Sequence, residues 1–410
     1  MLQTWQTLRA KSAPAVPLDP VNGPPNAQAY LRLFGRTEAD LRVTLYRDLF
    51  AWCPYCHKVW LFLEEKRIPY RVRKVTMFCY GEKEAWYKRI VPGGMLPALE
   101  LDGTLITESD ALLVALERAF GPLGPYRLTD TRAAPLRRLE RAFFGAWCGW
   151  LCYPDDPTGR ARKEFVRVLE RMDAALGETP GDYFAGEFGV VDVIFAPFLE
   201  RAHASLWYYK GFDLYAEEHG FARLRAWNTA MQGRETVQKI RADFFTHVHD
   251  LPPQLGGCVE TGTPKQVAAR KMVNRGPWRE LPDWVSVMSE NEAELRREAV
   301  YRVTKHHIPI EQVNPDKTTF DEALRAAMTN LLVGRDGVAF DRVKPPAGSA
   351  MGLRHLKNQI SVPRDMSAGA ANLLRQELEA TAALDADAEP PALPTRHRRD
   401  QDSLPFQSKQ

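Results

Sequence analysis

Two cysteines three residues apart, Cys53-Pro54-Tyr55-Cys56, are the residues most able to do chemistry here. A thiol reacts as its thiolate, and a helix N-terminus favours that charge through its unpaired N–H groups and its dipole. Arg42 to Arg47, RVTLYR, reads as a short β-branched strand leading through Asp48 and Trp52 into Cys53. Pro54 suits a first helical turn, and Val59, Phe62 and Leu63 give an apolar stripe before Ile68-Pro69 ends the helix. Cys56 then sits one turn from Cys53, close enough to attack a mixed disulfide on it. A zinc site would need a second ligand pair of matching spacing. Cys148 and Cys152 do not supply it and read as small core residues of a helical stretch.

Two more features suit a thiol substrate. Leu96-Pro97, just before the strand Ala98 to Leu101, fits a cis-proline turn whose preceding backbone pairs with a bound peptide. Glu108-Ser109 stands at the start of a helix from Ala111 to Phe120, with Ser109 as its N-cap. There a hydroxyl and free N–H groups bind a carboxylate, and the glutamate takes an ammonium, which are the two ends of a γ-glutamyl amino acid. Beside the centre, His57 reads as solvated, Lys58 as a cation that lowers the thiol pKa, and Lys83 as a reach toward a carboxylate or a surface charge.

The elements that must position these residues run strand, helix, strand, helix, strand, strand, helix, with Asp102-Gly103 marking a hairpin. From Thr131 to Thr246 the pattern is almost wholly helical, and Gly189 to Asp192 opens a buried helix. Beyond His249 the sequence LPPQLGGCVETGTP reads as a linker. Glu292 to Thr304, Phe320 to Leu332 and Ala368 to Leu384 show helical spacing, separated by the breakers Pro309, Pro315, Pro345-Pro346 and Pro363. The expected division is an N-terminal extension over 1–39, an α/β domain over 40–124, an all-helical domain over 125–249, a helical region over 260–385 and a polar, Pro-rich disordered tail over 386–410.

Composition narrows the class. The 410 residues carry 45% hydrophobic and 26% charged side chains, with a net charge of +3, so no electrostatic footprint implies nucleic acid. No apolar run reaches the roughly 18 residues of a membrane helix. Six scattered cysteines and the absence of an apolar signal core point to a reducing compartment, cytoplasmic or, with an acid-poor N-terminus, the plastid stroma. Adjacent His306-His307 and His355 lack ligand spacing and read as non-metal polar residues.

Over residues 40 to 246, Cys53-Pro54-Tyr55-Cys56, Met95 to Leu99, Glu108-Ser109 and the Gly189 to Asp192 helix start resemble a cysteine-type glutathione transferase. Within that superfamily the chain is most similar to the iota class of photosynthetic organisms, which pairs a CPYC or CPWC centre with an additional C-terminal region; the run Val75 to Lys88 resembles that class too. The resemblance implies a thioredoxin-like α/β domain followed by an all-α transferase domain and an additional helical region. It implies glutathione as cosubstrate, with its sulfur at Cys53, its backbone at Leu96 and Pro97, and its γ-glutamyl end at Glu108 and Ser109, with Tyr55 beside it. Such proteins reduce mixed disulfides, with glutathionylated proteins or small molecules and dehydroascorbate as candidate substrates, and act as monomer or homodimer. Conjugation, a glutathione-ligated [2Fe-2S] centre held by two chains, and a non-catalytic scaffold are the alternatives it leaves open. Gly189 stands where that superfamily carries Ser or Thr, so the cap side-chain bond is expected to be missing.

Overall fold

A computed structural model of the chain describes residues 1–14, 18–283, 291–334 and 340–385, so the tail expected over 386–410 lies outside the described residues. The chain divides into two units, Asp19–Arg270 and a second made of Met1–Leu18 with Lys271–Gln410.

The first unit opens on a five-stranded sheet of order β1-β3-β2-β4-β5. Its strands are β1 (Leu31–Arg32), β2 (Val43–Asp48), β3 (Tyr70–Val75), β4 (Ala98–Leu101) and β5 (Thr104–Thr107). β2 runs parallel to β3 and antiparallel to β4, so it is central and almost wholly buried. β1, which the sequence pattern did not reveal, is a two-residue edge strand antiparallel to β3. β4 and β5 form the expected hairpin, and both turn residues, Asp102 and Gly103, have positive φ (49° and 79°), as a tight turn between twisted strands requires.

The strands alternate with α2 (Pro54–Glu65), α3 (Ala85–Ile90) and α4 (Ser109–Phe120). This is a thioredoxin-like α/β layer. Every α2 residue from Cys56 to Glu64 is buried, not only the expected stripe, because α7 covers the face opposite the sheet. Polar side chains enclosed there are paired: Glu64 accepts from Arg32 Nε and Nη2 at 2.9 and 3.0 Å and from Tyr70 Oη at 2.5 Å.

The helical domain contains α5 (Ala133–Leu151), α6 (Arg160–Ala175), α7 (Val190–Lys210), α8 (Ala222–Gln232), α9 (Glu235–Ile240) and α10 (Phe244–Leu255). α7 is its central helix, apolar nearly all round and enclosed. Gly189 does lack a cap side chain, but Asp192 compensates from the third helical position. Its carboxylate accepts from the amides of Gly189 (2.9 Å) and Phe184 (3.2 Å) and from Trp227 Nε1 (2.8 Å). A glycine is required here because a Cβ at 189 would lie 2.9 Å from the carbonyl oxygen of Leu123.

One expectation is corrected at the end of this domain. The segment beginning LPPQL is not linker: α10 continues through Pro252 and Pro253 to Leu255, and the chain leaves at Gly256 (φ 82°). Pro252 cannot donate to the carbonyl of Val248 four residues back. Tyr209 Oη donates to that oxygen instead, at 2.8 Å, so the helix tolerates the proline.

In the second unit, α1 (Trp5–Ser12) packs with helices over Glu292–Val313 and Phe320–Val333. Trp5 Nε1 donates to Asp321 Oδ1 at 2.7 Å and its ring stacks on His307 at 4.4 Å. Residues 1–18 therefore go with this unit, while the rest of the 1–39 stretch joins the sheet domain. Pro309 does not break the first of those helices, which runs on to Val313. A helix at Ala350–Gln359, not foreseen from the sequence, precedes the one at Ala368–Ala382.

Candidate functional site

Sheet topology assembles the site before any side chain is considered. β2 and β4 are antiparallel with Tyr46 opposite Ala98, so the start of β4 lies at the end where β2 leads to Cys53. Ala98 also pairs with Thr107, which places Glu108 at the same edge. Cys53, Pro97 and Glu108 thus emerge together from three strand ends. The Leu96-Pro97 bond is cis, as the sequence reading expects.

Cys53 is the N-cap residue of α2, with Pro54 as first helical residue. Its side chain is only 6% exposed. Cys56, three residues on along α2, is 1% exposed. Burial first, then the neighbouring Cys53 and the Asp48 carboxylate, push the Cys56 thiol well up. Cys56 therefore stays a thiol at neutral pH, one helical turn from Cys53.

After β5, Ser109 is the first residue of α4 and Glu108 occupies the N-cap position with φ 67°. This shifts the expected cap by one residue. The N-terminus of α4 starts at the same sheet edge as Pro97, and a non-glycine residue at positive φ marks a backbone held by its surroundings.

Tyr55 turns away from the sheet. Its ring meets Phe198 of α7 edge-on at 5.4 Å, and the Arg141 guanidinium of α5 lies 5.9 Å from its ring centre. Burial raises its pKa despite that guanidinium. Lys58 is buried and gives its charge to Asp110 at 2.8 Å, which Arg137 also reaches at 3.1 Å. Lys83 is not a plain surface charge. It is half-buried, donates to the Thr76 carbonyl at 3.1 Å, and burial lowers its pKa while the sulfurs of Cys56 and Cys53 pull it up.

His57 departs most from expectation. It is not solvated but 5% exposed, and burial takes it down to about 3 against the pull of Glu200. Its Nδ1 lies 3.7 Å from Glu200 Oε2. The same carboxylate faces His247 Nε2 of α10 at 3.1 Å and accepts from the Ala242 amide at 2.9 Å. Burial opposes ionisation of Glu200, yet its surroundings, His247, His57 and Arg201 among them, hold it down to about 2. Burial keeps both histidines low, so at neutral pH the lasting counter-charge is Arg201, whose Nη1 is 3.4 Å away.

This buried cluster acts on the residue before the nucleophile, and sequence reasoning missed it. Trp52 donates its amide to Asp48 Oδ2 at 2.6 Å and its indole N–H to His247 Nδ1 at 3.1 Å, and its carbonyl accepts from Arg201 Nη2. Because the indole is donor only, His247 Nδ1 must accept, so its proton sits on Nε2, toward Glu200. The one available signal was an adjacent Glu200-Arg201 pair inside an otherwise apolar helix; nothing in the sequence singles out His247. On the other flank, Tyr87 of α3 donates to the Met95 carbonyl at 2.6 Å and steadies the turn that carries Leu96-Pro97. Among the described residues no cluster of three or more His, Cys, Asp or Glu side chains is arranged to hold a metal.

Comparison with known proteins finds two domain matches and several relatives. Residues 52–119 match the glutathione S-transferase N-terminal domain and residues 106–228 the glutathione S-transferase C-terminal domain. The chain is similar to glutathione S-transferase DHAR2 of Arabidopsis thaliana, with 28% identity over 196 residues, 48% of this chain and 86% of that protein. It is likewise similar to glutathione S-transferase L3 of Arabidopsis thaliana, with 27% identity over 247 residues, 56% of this chain and 94% of the other. Among solved structures, dehydroascorbate reductase of Chlamydomonas reinhardtii superposes with a TM-score of 0.42 at 24% identity, over 49% of this chain and 93% of that one.

Proposed function

We propose that this chain, whose residues 52–228 carry the two glutathione S-transferase domain matches, is a glutathione-dependent thiol–disulfide oxidoreductase working through Cys53. The observation that carries the reading is Cys53 at the N-cap of α2, at the edge where β2 ends and β4 starts, with the buried Cys56 one helical turn behind it. A hydroxyl at that position would only stabilise a glutathione thiolate, whereas a cysteine forms a bond to glutathione.

In the proposed cycle the Cys53 thiolate attacks the glutathione sulfur of a mixed disulfide, R–S–S–G. The substrate leaves as a thiolate and takes a proton, and Cys53 is left as Cys53–S–S–glutathione. A second glutathione thiolate then attacks that bond, releasing glutathione disulfide and restoring the Cys53 thiolate. Cys56 offers an internal route, but its raised pKa makes it the slower attacker, so free glutathione carries most of the flux. Leu96 and Pro97 hold the glutathione backbone, and Glu108 and Ser109 its γ-glutamyl ammonium and carboxylate. Dehydroascorbate reduction fits the same centre, with the Cys53 thiolate attacking a carbonyl carbon before glutathione displaces ascorbate. Placement in the iota class belongs to this reading, and so does a cytoplasmic or plastid setting.

The test is deglutathionylation of a glutathionylated peptide by Cys53→Ser and Cys56→Ser chains. Loss of at least about a hundredfold without Cys53, and retention of activity without Cys56, are expected. Full activity in the Cys53→Ser chain ends the proposal.

A further inference from the structure

A second group of thiols lies in the helical domain. α5 ends at Leu151 and sets Cys148 and Cys152 one turn apart on one face, with the Cys152 amide donating to the Cys148 carbonyl at 3.0 Å. Beyond α10, Gly256 (φ 82°) and Gly257 (φ 144°) turn the chain back, and the Val259 amide donates to the Leu151 carbonyl at 2.9 Å. Covalent geometry around that one hydrogen bond keeps the Cα atoms of Cys152 and Cys258 within about 8 Å of each other. A disulfide spans Cα separations up to about 7 Å, so the pair lies within bridging distance or at most about 1 Å beyond it. Cys152 sits past the last helical residue, and Cys258 follows two glycines, so both ends can close a remaining gap.

The surroundings suit exchange chemistry. Unlike the buried Cys56 and Cys79, these three cysteines are partly exposed, which leaves a small disulfide a route to them. Lys210, the last residue of α7, brings its ammonium to the same corner, where it donates to the Tyr153 carbonyl at 3.1 Å and lies 3.4 Å from Asp155 Oδ1. Its positive charge favours the thiolates of Cys152 and Cys258.

We propose that Cys152 and Cys258 form a second redox pair, separate from Cys53, which glutathione disulfide oxidises to an intramolecular bridge fastening the chain after α10 to the end of α5. The steps balance. One cysteine thiolate attacks glutathione disulfide, giving a mixed disulfide and one glutathione thiolate; the other cysteine attacks the protein sulfur, giving the bridge and a second glutathione thiolate. Two protons pass from the cysteines to the two glutathiones, and two electrons from the cysteines reduce the oxidant. Burial pushes Cys148 up to about 12 and raises the other two, so the pair rests as thiols and reacts slowly. It responds to sustained oxidation and does not compete with Cys53 turnover.

The experiment uses the full-length Cys53→Ser/Cys56→Ser chain, so its outcome is independent of the proposed catalytic cycle. The protein is equilibrated with glutathione disulfide or with reduced glutathione, blocked with N-ethylmaleimide, digested and mapped by mass spectrometry. A cross-linked peptide joining Cys152 to Cys258 is expected in more than about half of the oxidised chains. It should vanish with dithiothreitol and in a Cys258→Ala chain. The same peptide should appear in the unsubstituted chain, which guards against altered folding of the variants. Recovery of Cys152 and Cys258 as maleimide adducts, as glutathione adducts without a cross-link, or with Cys258 joined to Cys148 overturns the proposal.

Discussion

The carbonyl oxygen of Trp52 accepts a hydrogen bond from the guanidinium of Arg201, a residue 149 positions further along the chain. The same guanidinium lies over the Trp52 ring at 4.7 Å and also donates to the Pro197 carbonyl at 2.7 Å. Replacing Arg201 with Met keeps the bulk but leaves that carbonyl and the Glu200 carboxylate short of a partner. A buried group stripped of a charged hydrogen-bond partner costs about 2 to 4 kcal/mol. The expected outcome is a lower urea midpoint with an unchanged m value, together with slower alkylation of Cys53 by iodoacetamide. Unaltered Cys53 reactivity would show that the contact only supports the fold.

His247 is expected to act on the same residue by a milder route. His247→Phe fills the volume but removes the acceptor for the Trp52 indole and the group facing Glu200. Turnover should fall several-fold with the glutathione KM nearly constant, because the proposed γ-glutamyl site at Glu108 and Ser109 is left unchanged. A KM effect alone would contradict a positioning role at Cys53.

Tyr87→Phe should do the reverse. Its hydroxyl holds the Met95 carbonyl at the turn leading to Leu96-Pro97, so its loss loosens the backbone that glutathione meets. The expected result is a rise in glutathione KM of about tenfold, roughly the worth of one good hydrogen bond, with kcat less affected. Steady-state kinetics at several glutathione concentrations separates the two.

Histidine 57 makes stability depend on acid. Its folded pKa of about 3 lies below the ordinary 6.5, so the unfolded chain binds more protons between those values. The stability from keeping His57 neutral is present above pH 6.5 and drains away as pH falls toward 3. Its magnitude is on the order of a few kcal/mol. Urea unfolding from pH 7.5 to 4.5 should show this slope, and His57→Gln should flatten it. An identical slope in the variant would place the acid sensitivity elsewhere.

Asp192 has the opposite sign. Burial raises it to about 6 in spite of its three bonded donors, so the folded chain binds the extra proton between about 3.8 and 6. That contribution is full below pH 3.8 and is lost as pH rises through 6. Asp192→Asn keeps the acceptor shared by the Phe184 amide and the Trp227 indole, gives up the one the Gly189 amide meets, and removes the titration. Its stability relative to the unsubstituted chain should therefore improve as pH rises from 4.5 to 7; a constant difference would refute the assignment.

The parts legible in the sequence were those set by local chemistry. Cys53, Pro54 and Cys56 announce a strand leading into a helix; Asp102-Gly103 announces a hairpin; and together they are enough for a thioredoxin-like layer. The burial of His57 and Lys58 was not legible, because α2 shows a polar face in its own periodicity and only α7, far along the chain, covers it. Pro252 and Pro253 read as a linker because the oxygen they leave without a donor is satisfied by Tyr209, a partner no local rule reveals. Pro309 also read as a breaker, yet its helix runs on to Val313. The supports of Trp52 were invisible because each comes from a different segment.

Trp52 is fastened through its amide to the end of β2, through its carbonyl to α7 and through its indole to α10. The geometry of the nucleophile is therefore completed late in synthesis. A nascent chain whose sheet domain has already formed owns both thiols but not the two later anchors, and it acquires the second only after residue 247 has been added. Reactivity at Cys53 is thus a readout of whether the helical domain has docked, and the thiol pair is most exposed to misuse before that point.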